Sequence, residues 1–262
     1  MKISIITLFP KMIKGFFGES IVKRAQEKKL VEIELINLRD FAIDDYGTVD
    51  DKPYGGGVGM IMRVDTIYRA LSKISNFKFQ ISNKNLKLKI KNYKTILTSP
   101  KGKQFTQKKA IEYSKFNHLI IIAGHYEGID ERVLDYVDEE VSLGDFVMTG
   151  GEITAAAITD SVVRLIPGVL KKEEATEKES FFIIPMKRLI EIIGENKVLL
   201  ELIQKGTKEI KLLEYPQYTR PEEFEEKKVP EILLSGDHKK IENWRLKKAF
   251  EETVKKRPDL LK

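Results

Sequence analysis

Three short Ile-rich runs constrain this chain more than any other feature. They are Ile3–Phe9, Thr95–Thr98 before Ser99-Pro100-Lys101-Gly102, and His118–Ala123 before Gly124. Apolar runs of four to seven residues, rich in Ile and closed by Gly or Pro, predict buried strands. Val31–Leu38 alternates apolar and polar residues, as a half-buried strand does. Between these runs lie helical patterns: Ser20–Lys29 and Val64–Lys73 are amphipathic, and Gly128–Val137 carries Ile129, Val133, Leu134 and Val137 at helical spacing. Strands alternating with helices predict an α/β domain with a largely parallel sheet.

Beyond this, Glu152–Ile166 is again helical and Pro167-Gly168 stops it. Lys171–Ser180 is all charge and small polar residues. Phe182–Lys211 contains an amphipathic helical stretch, and Leu212–Lys262 passes Pro216, Pro221 and Pro230 before a charged helix from about Lys239 to Lys256. The expected layout is an α/β domain over 1–168, a mobile linker with a helical insertion over 169–211, and a small helical C-terminal domain over 212–262.

Composition narrows the chemistry. Apolar residues make up 42% and charged residues 33%, which suits a globular chain rather than a disordered one. No apolar run approaches the ~20 residues of a membrane span, so no membrane partner is expected. The first residues, MKISIITLFPKM, read as a buried strand rather than a signal peptide, which points to the cytoplasm. Cys is absent, which excludes disulfides, thiolate metal sites and Cys nucleophiles. His118, His125 and His238 are far apart in sequence, and no metal ligands are assigned. Catalysis must then rest on carboxylates, Arg, Lys, hydroxyls or a bound cofactor.

The net charge is only +6, but its distribution is uneven. Eleven Lys stand between Phe77 and Lys115 against one acid, Glu112. A segment of one sign suits a polyanion such as nucleic acid; a solvated Lys surface is the plainer reading.

Three Gly-rich strings follow predicted strands or join predicted elements. Asp50–Met60 holds four Gly in five residues, yet has neither the Lys-Ser/Thr of a phosphate loop nor G-x-G-x-x-G spacing, so a hinge fits as well as a ligand loop. Ala123–Arg132 leaves a strand end through Gly124 and Gly128, where open α/β sheets place ligands. Ser142–Glu152 ends in Gly150-Gly151 at the start of a helix that carries Asp160 and Arg164. Together they predict a pocket built mainly of backbone, better suited to a nucleoside-bearing cofactor than to a metal.

At this point the residues resemble a known family. DKPYGGGVGM at 51–60, Ser-Pro-x-Gly at 99–102, GxYEGIDER at 124–132, SLGDFVMTGGE at 142–152, DSVxRxIPGVL at 160–170, YPQYTRP at 215–221 and VPxxLLSGDHxxIxxWR at 229–245 stand in the order found in bacterial tRNA (guanine-N1-)-methyltransferases, the TrmD family. The resemblance implies a SPOUT-type α/β domain closed by a deep trefoil knot, a rare exception to unthreaded topology. It implies a homodimer with a shared active site and transfer of a methyl group from S-adenosyl-L-methionine to N1 of guanosine-37 in tRNA. Ser99, Pro100, Gly102, Gly124, Tyr126, Glu127, Leu143, Gly144, Asp145, Phe146, Val147, Met148, Gly150 and Gly151 would line the cofactor site, and Arg164 matches the active-site Arg. The C-terminal domain would grip tRNA. The family also shows a Mg²⁺ requirement, which this sequence does not locate.

Three departures stand out. The usual general base is an Asp before Ser-Phe; here Glu179 precedes Ser180-Phe181 and is expected to take that role, unless it is one more solvated acid. His125 stands where the family string carries Arg, and the two are not equivalent at an ion pair. Thirty residues separate Phe181 from Leu212 where the family has a few. These departures leave open a tRNA-binding protein on this fold with weak or no methyl transfer. Trp244 reads as a core anchor on a helix capped by Asp237, with Asp237 and His238 better placed for RNA.

Overall fold

The computed structural model describes residues 1–74, 92–171, 179–194 and 196–261. They divide into two compact units, Met1–Lys171 and Lys172–Lys262. Among them no helix is long and apolar enough to cross a membrane.

The first unit opens with β1 (Lys2–Thr7), α1 (Pro10–Phe17), α2 (Ser20–Glu27) and β2 (Glu32–Asn37). A short antiparallel pair, β3 (Asp50–Asp51) and β4 (Ile61–Met62), brackets the first Gly-rich string, and α3 (Val64–Ile74) follows. Then come β5 (Tyr93–Gln104), α4 (Gln107–Tyr113), β6 (His118–Ala123), β7 (Glu139–Ser142) and α5 (Glu152–Val163). The five longer strands form one sheet in the order β2-β1-β6-β5-β7, every neighbouring pair parallel.

A parallel sheet covered on both faces explains the Ile-rich runs, because neither face can be polar. Alternate residues feed two cores. Ile3, Ile5, Ile96, Leu119 and Ile121 pack with Ile13, Val22 and Ile158 of α1, α2 and α5. Ile6, Leu97, Ile120 and Ile122 point the other way and pack with Ile67, Ala70 and Leu71 of α3.

Residues 128–137 differ from expectation. Their apolar spacing predicts an α-helix, but Gly128 adopts φ +148° and the chain forms only a 3₁₀ turn, Glu131–Tyr136. Asp130 accepts the backbone N–H of Arg132 and caps the turn, which opens at Glu131, three residues after the predicted start at Gly128.

On the outer strand, Glu139 accepts the Tyr113 hydroxyl at 2.8 Å, Lys94 at 3.1 Å and Lys109. Burial raises its carboxyl pKa, but bonds from Lys109, Tyr113 and Lys94 outweigh that and hold it at about 2. A depressed acid contributes stability above its unfolded pKa and loses it as pH falls through its folded one. Stability from this cluster should therefore fade between about pH 4.5 and 2. Glu139→Gln should cost roughly 2–3 kcal/mol near neutrality. Urea unfolding across pH checks this: a variant with the wild-type acid slope would refute it.

The second unit holds β8 (Phe182–Pro185), α6 (Met186–Ile193), α7 (Lys197–Gln204), β9 (Glu209–Leu212), a short pair β10 (Glu223–Phe224) and β11 (Lys227–Lys228), α8 (Glu231–Leu234) and α9 (His238–Lys256). Residues 182–211, expected as part of a linker, supply much of this unit's core. β8 pairs antiparallel with β9, and Ile184, Met186, Leu189, Leu199, Leu202 and Ile210 pack with Leu246, Ala249 and Phe250 of α9. The unit is thus mixed helix and strand rather than purely helical. Residues 172–178 of the expected linker lie outside the described residues.

Candidate cofactor pocket

The carboxyl ends of β6 and β7 and the irregular middle of β5 open onto one cavity of about 470 Å³, within the usual range for small-ligand sites. Three turns wall it. Thr98–Lys101 bulge from the middle of β5, where its register with β7 shifts between Thr98 and Lys103, Gly124–Glu131 leave β6, and Leu143–Gly151 run from β7 to the start of α5.

Polar groups of the strand ends set the turns. Thr98 is buried, donates its hydroxyl to Ile122 C=O at 3.2 Å and accepts Gly124 N–H at 3.2 Å. Ser142 Oγ accepts Gly144 N–H at 3.1 Å and donates to Gly144 C=O at 2.9 Å, folding the loop back on its strand. Gly151 N–H donates to Gly124 C=O at 2.6 Å, and a Cβ there would overlap Thr98 Oγ1. Only Gly lets the third turn come this close to the other two.

The first Gly-rich string joins the same neighbourhood. Glu127 N–H donates to Met60 C=O at 3.1 Å, Met62 N–H to Gly128 C=O at 2.9 Å, and Ile61 lines the cavity. The tip stands clear, with Tyr54 99% and Val58 93% exposed.

Of the residues expected to bind cofactor, Ser99, Pro100, Gly124, Tyr126, Glu127, Leu143, Gly144, Phe146, Val147, Met148, Gly150 and Gly151 line the cavity. Gly102 and Asp145 do not. Gly102 lies against the backbone of Val141, with no room for a side chain, and Asp145 is exposed on the loop. Thr98, Lys101, His125, Thr149 and Thr154 also line it and were not anticipated as ligand contacts. A hydroxyl at Thr98, directly before the Ser99-Pro100 break, was the available signal.

Of the expected catalytic residues, Arg164 belongs to the cavity's own unit and does not line it. Arg164 caps the C-terminal end of α5, the end opposite Gly151 and Thr154. Glu179 belongs to the second unit. In that unit Asp237 caps α9 by accepting Lys240 N–H at 3.1 Å. Trp244 is half-buried, its ring 6.3 Å from that of Tyr218, and His238 lines a smaller cavity with Tyr215 and Arg245.

The Lys-rich segment splits. Lys78, Lys84, Lys87, Lys89 and Lys91 lie outside the described residues. Lys94 and Lys109 are committed to Glu139, while Lys101, Lys103, Lys108 and Lys115 stand exposed. Among the described residues no three His, Asp or Glu side chains gather to hold a cation, so no Mg²⁺ ligands are assigned.

A family model described as tRNA (Guanine-1)-methyltransferase TrmD matches residues 1–262. A tRNA (guanine-N(1)-)-methyltransferase of Dictyoglomus turgidum is 47% identical over 261 residues, covering 100% of this chain and 90% of that protein. Its counterpart in Alkaliphilus metalliredigens is 45% identical over 263 residues, with 100% and 92% covered. That of Clostridium botulinum is 47% identical over 262 residues, with 100% and 93% covered.

Proposed function

The chain belongs to the tRNA (guanine-1)-methyltransferase family TrmD, and from that premise we propose that it methylates guanosine-37 of tRNA, using S-adenosyl-L-methionine bound in the cavity beside β5, β6 and β7. Its activity is methyl transfer to guanine N1 in tRNA, and a tRNA-binding protein without that activity is not favoured. The observation that carries the reading is the glycine-walled cavity, whose backbone N–H and C=O groups can recognise an adenosine without charged side chains. Incubation with methyl-labelled S-adenosylmethionine and tRNA, then nuclease digestion, should yield 1-methylguanosine. Label in any other nucleoside would overturn the assignment.

S-adenosylmethionine supplies a methyl group already activated on a sulfonium. The residues of this chain have two further tasks. Guanine N1 carries a proton at neutral pH, and a base must remove it as attack begins. Glu179 is assigned this step. Negative charge then builds on O6, and the Arg164 guanidinium is assigned to stabilise it.

Arg164 lies twelve residues beyond Glu152, about 18 Å along α5 at helical rise, so within one chain it is remote from the cavity. A second copy that brings its Arg164 to this pocket accounts for that distance. The surface supports such a pairing: Phe9 just before α1, Met12 and Phe16 along it, and Ile153 on α5, which packs beside it, are 40–51% exposed. The close return of the third turn to Thr98 of β5 and to Gly124 after β6, tied at Gly151–Gly124, supports a trefoil knot. A tRNA substrate fits the cytoplasm.

Exposed Lys would hold the phosphates of the anticodon arm. Neutralising Lys101, Lys103, Lys108 and Lys115 together should weaken tRNA binding and reduce its salt slope by roughly 0.7–0.9 per lost contact. Neutralising Lys94 and Lys109 should instead lower stability. Filter binding across salt tests this, and an unchanged slope in the fourfold variant would show a merely solvated surface.

A further inference from the structure

Glu152 opens α5 with its side chain wholly buried, and nothing above gives it a task. A buried carboxylate is costly unless its oxygens are paired, so its neighbours define it. Thr7, at the end of β1, donates its hydroxyl to Oε1 at 2.9 Å and accepts Phe9 N–H at 2.9 Å. Oε2 faces Nδ1 of His125 at 3.4 Å; both atoms are buried, and neither has another hydrogen-bond partner among the described residues. The Phe9 ring packs on the imidazole with centroids 4.7 Å apart. Gly150 covers the pair from the last side, since a Cβ there would overlap both Oε2 and Nδ1, and its backbone bridges that of His125.

These contacts tie together the end of β1, the turn after β6 and the last residues of the loop after β7. His125, Gly150 and Gly151 line the cavity, whereas Glu152 stands behind them. Resting on the cofactor reading above, we propose that Glu152 is a positioning residue for S-adenosylmethionine: it accepts the Nδ1–H of His125 and so holds the turn after β6 against the loop after β7. At 3.4 Å the contact is long for a charge-assisted bond, whose usual length is about 2.7–2.9 Å. A shift of about half an ångström closes it, which draws the two walls together as the pocket fills. The arrangement also sets the tautomer. Nδ1 carries the proton, and Nε2 is left as an acceptor. An imidazole meets the buried carboxylate through one N–H, where an Arg would bring a permanent charge.

Glu152→Gln keeps the shape and can still accept from Thr7, but it turns an amide N–H toward Nδ1. KM for S-adenosylmethionine should rise about tenfold or more, while kcat at saturation stays within about threefold. His125→Ala should do the same, and the double variant should lose no more than the worse single one. A purely structural role would lower the melting temperature without this split. In wild type, ¹⁵N resonances of His125 should show the proton on Nδ1, a measurement that depends on no variant's folding. Glu152→Gln binding S-adenosylmethionine within twofold of wild type, or wild-type His125 protonated only at Nε2, would overturn the inference. A wild-type chain that fails to bind S-adenosylmethionine at all would instead overturn the cofactor reading on which it rests.

Discussion

Single-turnover methyl transfer by Glu179→Gln is expected to fall by about 10²–10⁴, the usual worth of a positioned base. Gln keeps the size and much of the hydrogen bonding of Glu but cannot take a proton. Since N1 must lose its proton as the bond to the methyl carbon forms, the loss should appear in the chemical step. Binding of tRNA and S-adenosylmethionine should change little. Arg164→Ala should be comparably damaging, because charge on O6 would build without a cation beside it. In the proposed roles both residues would act on one developing charge, so the double variant should lose less than the sum of the two. Mixing Glu179→Gln with Arg164→Ala chains should restore part of the activity if the two residues of one site come from different subunits. Transfer by Glu179→Gln within threefold of wild type would exclude Glu179 as the base, and Asp160 or Asp145 would be the carboxylates to test next.

Gly151→Ala is expected to weaken S-adenosylmethionine binding at least a hundredfold. One methyl group suffices, because a Cβ at this position would overlap Thr98 Oγ1 and lie 2.8 Å from the backbone nitrogen of Gly124. Thr98 lies within β5 and Gly124 directly follows β6, both held by the sheet, so the loop rather than the strands must move. Displacing it breaks the 2.6 Å bond to Gly124 and shifts the wall formed by Leu143–Gly150. The backbone groups of that wall then no longer converge on the ligand, and each buried polar group left unpaired costs about 1–3 kcal/mol, so two such losses reach a hundredfold. Gly144→Ala supplies the contrast: its Cβ would meet only the Phe146 ring, at 3.0 Å, and that ring is half exposed and can swing away. Calorimetry on the two variants, each checked for wild-type melting behaviour, separates them. Equal and mild effects would show that the close approach at Gly151 does not shape the pocket.

The sheet was legible in the sequence because a strand buried on both faces is mostly apolar, and Ile3–Phe9 and His118–Ala123 have no other use for so much Ile. The pocket was legible as Gly density at strand ends. What could not be read locally depended on distant partners. Ile129, Val133, Leu134 and Val137 satisfy helical spacing, and they equally satisfy a 3₁₀ turn that packs on α3; Gly128 and Asp130 decide between the two. The strands at Phe182–Pro185 and Glu209–Leu212 are too short to stand out, and become meaningful only once paired across α6 and α7 against α9. Lys94 and Lys109 looked like the rest of a basic segment until Glu139, thirty or more residues away, claimed both. Thr98 was hidden because a Thr in a strand run reads as β-propensity, and its role emerges only where three turns meet.

The most direct test of the account is methyl transfer to three tRNA transcripts that differ only in carrying guanosine, adenosine or uridine at position 37, with each product mapped by nuclease digestion. The account predicts one methyl group per guanosine-37 transcript, at N1, and none on the other two. Methylation of the adenosine or uridine transcript, or of the first transcript at another position, would contradict it.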